Sequence, residues 1–418
     1  MRDLKINFCY GFIIKNYQKD NKINKKMTQN HYIQILQENN TISNIQITQY
    51  PFIYGRQHIK EIQNIIWISR KHFEIRQKDN EFVIYVESSI PTFINGKRIQ
   101  HQTEEFIHPF DMISILNKKT KQYHKIFFLP DIHCVEFETF FKQYHFVDYI
   151  NSGRFGKVLK IKEMNSNTIQ AVKIMELEKK KRTSEIAERE NDILTSITHE
   201  KIVKKYQTIL SNEYMLIVME YIEGITLREF LEKQPENKLS ENQVKIIMKQ
   251  LFQTISYFHS LKIIHRDMTL NNIMLRGSCD EEYNQLNIVV IDFGSGKQLI
   301  KSSKTYTTIG TEHYITPEML NQTQYDGFKS DIWNCGVLMF TLAIGRHPFY
   351  EKGVNSKLNS RLNIKDGNIV AYKQLEQMSD SFQDLISNML NVDESERFSI
   401  EDCLEHEFIT LKHSLQSK

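Results

Sequence analysis

Cysteine is scarce in this chain. There are 5 in 418 residues (Cys9, Cys134, Cys279, Cys335 and Cys403), with no C-x-x-C pair and an odd total. That pattern fits reduced thiols and argues against both a disulfide framework and a zinc site. Excess charge is equally small: 54 basic against 51 acidic residues leave +3, too little to mark a nucleic-acid or membrane binder. Long apolar runs are missing as well. The longest, near Tyr214–Ile222 and Cys335–Ile344, fall well short of the roughly 18 residues that a membrane span needs. The short run Ile6–Ile14 has no small-residue cleavage site after it, so a signal peptide is not expected. The expectation is a soluble intracellular protein.

What is present can build a core: 40% of residues are hydrophobic and 25% charged. At roughly 150 residues per domain the length suggests two or three domains. Residues 1–30 are Lys- and Asn-rich and read as a basic tail. From 31 to 129, short β-rich runs (Ile42–Ile47, Ile65–Ile68, His72–Ile75, Phe82–Val86, Met112–Leu116, Lys125–Leu129) recur about every ten residues between polar turns, the pattern of an all-β sandwich. Asn95-Gly96, between two short strands, predicts a type I′ hairpin. Residues 130–143 read as a linker with a short packed segment around Val135, Phe137, Phe140 and Phe141. The stretch 144–411 has strands first, then a charged helix over Ser184–Ile197, then a run of helices, with 412–418 as a tail.

The chemistry-bearing residues lie in this last stretch. Asn151-Ser152-Gly153-Arg154-Phe155-Gly156-Lys157-Val158 sits between two predicted strands, where glycines let backbone N–H groups approach phosphate oxygens. Alone it could be an ordinary glycine hairpin. Ala171-Val172-Lys173 ends the third strand with a lysine able to reach phosphates, and Glu190 follows on the charged helix, able to pair with it. His265-Arg266-Asp267 precedes Asn272, and Asp292-Phe293-Gly294 comes 25 residues after Asp267. One carboxylate, Asp267, can orient an attacking hydroxyl and take its proton, while Asn272 and Asp292 can hold magnesium on phosphates. Each triplet could arise by chance; four in this order and spacing do not.

These motifs resemble the eukaryotic protein kinase family over about Tyr144–Ile409. The segment Gly310–Glu318, the run Asp331–Gly336 and Arg397, as the partner of Glu318, fit the same pattern. The resemblance implies a β-rich N-lobe, a helical C-lobe and ATP bound with Mg²⁺ between them. It also implies Met219 as gatekeeper, Glu220–Ile222 as the adenine-reading hinge, and Ile150, Val158 and Ala171 packed on the base. Asn151 departs from the family's first loop glycine, a small cost because asparagine tolerates φ > 0. Thr269 replaces the lysine that serine/threonine kinases use on the γ-phosphate, which could cost about ten- to a hundredfold in rate. Thr226 and Asn271 stand where arginine-directed kinases carry glutamates, so no basic substrate motif is expected. Thr311 and its segment favour serine/threonine specificity. Arg266 beside Asp267 implies activation by a phosphate on the activation segment, with Thr307 at the matching position.

Upstream, Gly55-Arg56, Ser69-Arg70-Lys71-His72-Phe73 and Thr92-Phe93-Ile94-Asn95-Gly96 resemble the forkhead-associated (FHA) domain. That resemblance implies phosphothreonine capture by Arg56, Ser69 and Arg70 or Lys71, with His72 bracing the loops. Ile90-Pro91 replace the usual Asn-Gly, which puts affinity or selectivity in question. The whole is expected to be multidomain, an all-β FHA sandwich followed by an α+β bilobal protein kinase domain. An FHA domain joined to a serine/threonine kinase resembles the DNA-damage checkpoint effector kinases of the calcium/calmodulin-dependent group. The acidic stretch within Arg276–Gln285 agrees, whereas the tail offers only Thr28-Gln29 as an input site. The resemblance implies ATP and Mg²⁺, protein substrates, phosphothreonine-containing partners, a transient homodimer and a nuclear location. Two alternatives stay open: the same architecture in an unrelated pathway, and a phosphopeptide-binding adaptor with a weakly active kinase domain.

Overall fold

The computed structural model describes residues 31–36, 42–58, 67–79, 81–130, 135–153, 156–177, 181–277, 286–299, 304–305, 314–321, 324–350 and 356–411. Both predicted tails, Thr28-Gln29, Arg154, Phe155, the acidic stretch after Gly277 and the segment holding Thr307 lie outside them. The chain divides into two compact units, Met1–His133 and Cys134–Lys418.

The first unit is a two-sheet sandwich. Strands β1 (His31–Leu36), β2 (Ile42–Ile47), β6 (Thr92–Ile94), β7 (Lys97–Ile99), β9 (Met112–Leu116) and β10 (Tyr123–Leu129) form one antiparallel sheet in the order β2-β1-β10-β9-β6-β7. The second sheet is β3 (Phe52–Tyr54), β4 (Phe73–Lys78), β5 (Glu81–Val86) and β8 (Glu104–Ile107). Alternate residues point inward, so Ile33, Ile35, Ile113, Ile115, Ile126 and Phe128 of one sheet share a core with Phe73, Ile75 and Ile84 of the other. Asn95 and Gly96 adopt φ of 49° and 80°, as a type I′ turn requires. The strand expected over Ile65–Ile68 is not one where it is described: Trp67 and Ile68 lie in a turn, and Ile68 is apolar because that turn plugs the core.

The second unit opens on the short packed segment expected within residues 130–143, and gives it a form. Val135–Gln143 is a helix, α1, packed on the following sheet. Phe137 and Phe140 are buried, and Phe140 meets Tyr144 at 5.0 Å between ring centroids. Phe137, Phe140 and Phe141, at three- and four-residue spacing, make one apolar helical face.

Strands β11 (Tyr144–Gly153), β12 (Gly156–Glu163), β13 (Ile169–Glu176), β14 (Lys205–Leu210) and β15 (Tyr214–Glu220) form an antiparallel sheet in the order β11-β12-β13-β15-β14. Helix α2 (Lys181–Ser196) follows β13. The remainder is mostly helical and includes α3 (Leu227–Glu232), α4 (Glu241–Ser260), α5 (Pro317–Leu320) and α6 (Gly327–Ile344). Ser330–Ala343 of α6 are all buried, so this helix, enclosed on every side, is the axis of the C-lobe core. A small sheet of β16 (Gly224–Thr226), β18 (Ile273–Arg276) and β19 (Ile288–Val290) carries the catalytic-loop region, with β17 (Ile263–Ile264) just before it.

Candidate active site and phosphopeptide site

Strand alternation puts Ala171, Lys173 and Met175 on one face of β13, and α2 brings Glu190 to that face. Lys173 Nζ donates to both Glu190 carboxylate oxygens at 2.7 and 2.8 Å and to Asp292 Oδ1 at 2.9 Å. Burial pulls the ammonium toward neutrality, but two carboxylates within 3 Å outweigh it and hold Lys173 charged well above its ordinary range. Burial likewise works against the Asp292 anion, yet Lys173 and the Gly294 N–H keep its carboxyl below the usual value. The spacing of 119 residues between Lys173 and Asp292 is closed by the fold alone.

Asn272 Nδ2 donates to the Asp267 carbonyl at 2.8 Å and to Asp267 Oδ2 at 3.1 Å. The backbone beneath is fixed by a residue whose motif was visible in the sequence but whose contact here was not. Asp331, fully buried in α6, accepts from the His265 N–H (2.9 Å) and the Arg266 N–H (2.7 Å) and pairs with His259 Nε2 at 2.9 Å. This holds Arg266 at φ 65°, a conformation that costs a non-glycine residue energy and persists only when its surroundings dictate it. The Arg266 side chain is buried, donating from Nε to the Ser295 carbonyl at 2.7 Å. Its Nη1 has no partner among the described residues. Thr305, a neighbour of Thr307 in sequence, is buried and accepts from Lys297. Glu318 and Arg397 form a buried two-bond ion pair at 2.9 and 3.0 Å.

The residues expected around adenine converge on the sheet. Ala171 is opposite Met219, Val158 is opposite Lys173, and Met219 and Ile222 are buried while Ile150 is exposed. Glu220 turns its carboxylate to Arg276 at 2.5 and 3.0 Å, a pair between hinge and β18 that no motif signalled. Asn151 does not take positive φ. It lies in extended strand opposite Val158, so the departure from glycine is harmless for a different reason than its turn tolerance. Gly156, at φ 136°, has no such latitude, because a Cβ there would meet the Ile174 carbonyl oxygen at 2.2 Å. Ser152 and Gly153 complete the exposed end of β11.

In the sandwich, Arg56, Ser69 and Arg70 come together in loops at the ends of β3 and β4. The Arg56 N–H donates to the Ser69 carbonyl at 3.0 Å, and Arg56 Nε to the Ile68 carbonyl at 2.8 Å. Gly55 is dictated by this approach, since a Cβ would lie 1.8 Å from the Arg70 carbonyl oxygen. Ser69 Oγ is 2.7 Å from Ser88 Oγ, so Ser88 joins the cluster without having been singled out from sequence. Arg70 is exposed, whereas Lys71 is engaged by Glu87 at 2.6 Å and Glu74 at 3.4 Å; among the described residues Arg70 is the one of the two with no ion-pair partner. Ile90-Pro91 line a cavity of about 370 Å³ beside Ser88.

His72 is fully buried and pairs with Thr92 Oγ1 at 2.9 Å, tying the loop before β4 to β6. Burial lowers its pKa to about 4, and that of buried His124 to about 4. Both folded values lie below the ordinary 6.5, so the unfolded chain binds more protons between pH 6.5 and 4. The stabilisation, on the order of 3 kcal/mol for each histidine, is complete above pH 6.5 and lost as pH falls toward 4. Calorimetry of the whole chain should show the sandwich melting progressively earlier over that window. A sandwich transition independent of pH there would contradict this placement of the two imidazoles.

Comparison with known proteins agrees with this geometry. The model of the protein kinase domain matches residues 144–409, and that of the FHA domain matches residues 56–116. Serine/threonine-protein kinase SRK2E of Arabidopsis thaliana is 31% identical over 270 residues, 64% of this chain and 71% of that protein. Serine/threonine-protein kinase SAPK3 of Oryza sativa is 29% identical over 265 residues (63% and 77%), and serine/threonine-protein kinase 33 of Bos taurus 32% identical over 273 residues (64% and 55%). The chain belongs to the protein kinase family, with an FHA domain ahead of the kinase domain. It is a protein serine/threonine kinase.

Proposed function

We propose that this kinase transfers the γ-phosphate of ATP to serine or threonine in proteins brought to it by FHA capture of phosphothreonine, and that it switches itself on in trans. The supporting observation is that one chain holds both a Lys173–Glu190–Asp292 cluster and an Arg56–Ser69–Ser88 cluster. In the transfer, Lys173, fixed by Glu190, clamps phosphate oxygens, while Asp267 orients the acceptor hydroxyl and takes its proton. The carbonyl oxygen of Asn272 and the carboxylate of Asp292 are hard oxygen donors of the kind Mg²⁺ prefers, and their nitrogen and Oδ1 contacts leave one oxygen each for it. Bound there, Mg²⁺ would offset the negative charge of the phosphates. Ile150, Val158, Ala171, Met219 and Ile222 would pack on adenine, and residues 151–156 would cover the phosphates.

For activation, a phosphothreonine on one copy binds Arg56, Ser69 and Arg70 of another, raising the local concentration so that Thr307 is phosphorylated between copies. Phosphorylated Thr307 then reaches Arg266, whose Nη1 is a buried donor with no hydrogen-bond partner among the described residues. The dimer is transient, and a checkpoint-like role in the nucleus follows from resemblance to the FHA-containing effector kinases. Arg56→Ala should weaken binding of a phosphothreonine peptide at least tenfold, by removing charge-assisted bonds. It should also slow labelling of Thr307 at low but not at high protein concentration. Unchanged peptide affinity, or the same slowing at every concentration, would count against recruitment.

A further inference from the structure

The catalytic loop borders a second cavity on the side of Thr269 and Asn271. It encloses about 500 Å³ and is lined by Thr269 and Asn271, by Arg228 and Glu232 of α3, and by Arg346 and His347 beyond α6. Thr269 and Asn271 follow Asp267 by two and four residues. A chain spans at most about 3.5 Å per residue, so the cavity opens within about 7–14 Å of Asp267. An extended substrate whose hydroxyl meets Asp267 covers that distance in two to four residues.

The lining is cationic. Arg228 is half-buried and Arg346 exposed, and neither side chain has an ion-pair partner among the described residues. Among the described residues Glu232 is the single carboxylate on the wall, so there two fixed positive charges face one negative charge before His347 is counted. The next carboxylate on α3 is turned away: Glu229 accepts from the N–H and Oγ1 of Thr226, capping the helix it belongs to. Glu236, close by in sequence, is paired with Lys238. Two guanidinium forks at the rim of a concave site match the oxygens of a carboxylate or a phosphate and repel a basic side chain.

We infer that this cavity selects protein substrates bearing an anionic side chain, carboxylate or phosphate, two to four residues from the hydroxyl that receives the new phosphate. The inference rests on the serine/threonine kinase reading and adds the substrate class. The test uses the full chain and peptides with one acceptor in a neutral background, in which each position up to four residues on either side carries Glu, phosphoserine, Ala or Arg in turn. At one position two to four residues away, Glu or phosphoserine should raise kcat/KM at least fivefold over Ala and about tenfold or more over Arg, mainly through KM. The Glu and phosphoserine arms identify which anion is preferred. With Arg228→Glu and Arg346→Glu combined, and rates normalised to the neutral peptide, the order should invert in favour of Arg. Equal rates for Glu, Ala and Arg at those positions, or an unchanged order in the double variant, would overturn the inference while leaving the kinase reading intact. Transfer to no peptide at all would overturn both.

Discussion

Lys173→Met is expected to lower kcat/KM for phosphate transfer by at least about 10²–10³, the loss seen when one preorganised hydrogen-bond donor is removed from a transition state. Methionine keeps much of the length and packing of lysine, so the change isolates the charge. The effect is large because the ammonium has two tasks. It is the donor aimed at the phosphates, and it also neutralises Glu190 and Asp292, both within 3 Å. Without it, two carboxylates share a buried pocket with no cation, and Glu190, 1% exposed, takes up a proton rather than remain charged. Asp292 then loses the contact that holds it ionised and aligned. Glu190→Gln should cost less, because the amide oxygen still accepts from Lys173 while the ammonium keeps Asp292 as partner. A Lys173→Met chain with the kinetics of the parent would show that the cluster has no part in transfer.

Arg397→Leu has the second large effect, on stability rather than chemistry. The guanidinium is 1% exposed, grips Glu318 by two bonds and lies 5.0 Å from the Trp333 ring. Removing it leaves Glu318 buried without a countercharge, which typically costs about 3–5 kcal/mol. For a domain of this size that lowers the melting temperature by about 10 °C. Glu318 lies in the first turn of helix α5, which closes the activation segment, so the loss of order should start there and reduce activity at temperatures where the C-lobe core still holds. The double change Arg397→Leu with Glu318→Gln should recover part of the loss by removing the stranded charge. Equal melting of parent and single variant would contradict the burial of this pair.

The contrast between these residues explains how much of the molecule was legible beforehand. Lys173, Glu190, Asp267, Asn272 and Asp292 were readable because the chemistry demands particular side chains in a particular order, and order survives in a sequence. The sandwich was readable because a half-buried strand repeats every two residues and Asn95-Gly96 fits few other turns. Asp331 was legible only as part of a helix. Its bonds to the amides of His265 and Arg266 cross 65 residues or more and leave no local trace. Ser88, the Glu220–Arg276 pair and the cationic cavity were hidden for the same reason: each is a meeting of ordinary residues from separate elements. The packed segment around Phe137 and Phe140 was foreseen, but its helical form was not, because nine residues carry few turns and its partners lie on the sheet that follows.

The most direct test incubates the purified full chain with labelled ATP and Mg²⁺, beside the Lys173→Met chain as blank, and identifies every residue that gains label. Label on serine or threonine in the parent, including Thr307, and none in the blank is the predicted result. Equal labelling of both chains, label confined to tyrosine, or no label in either would contradict the account.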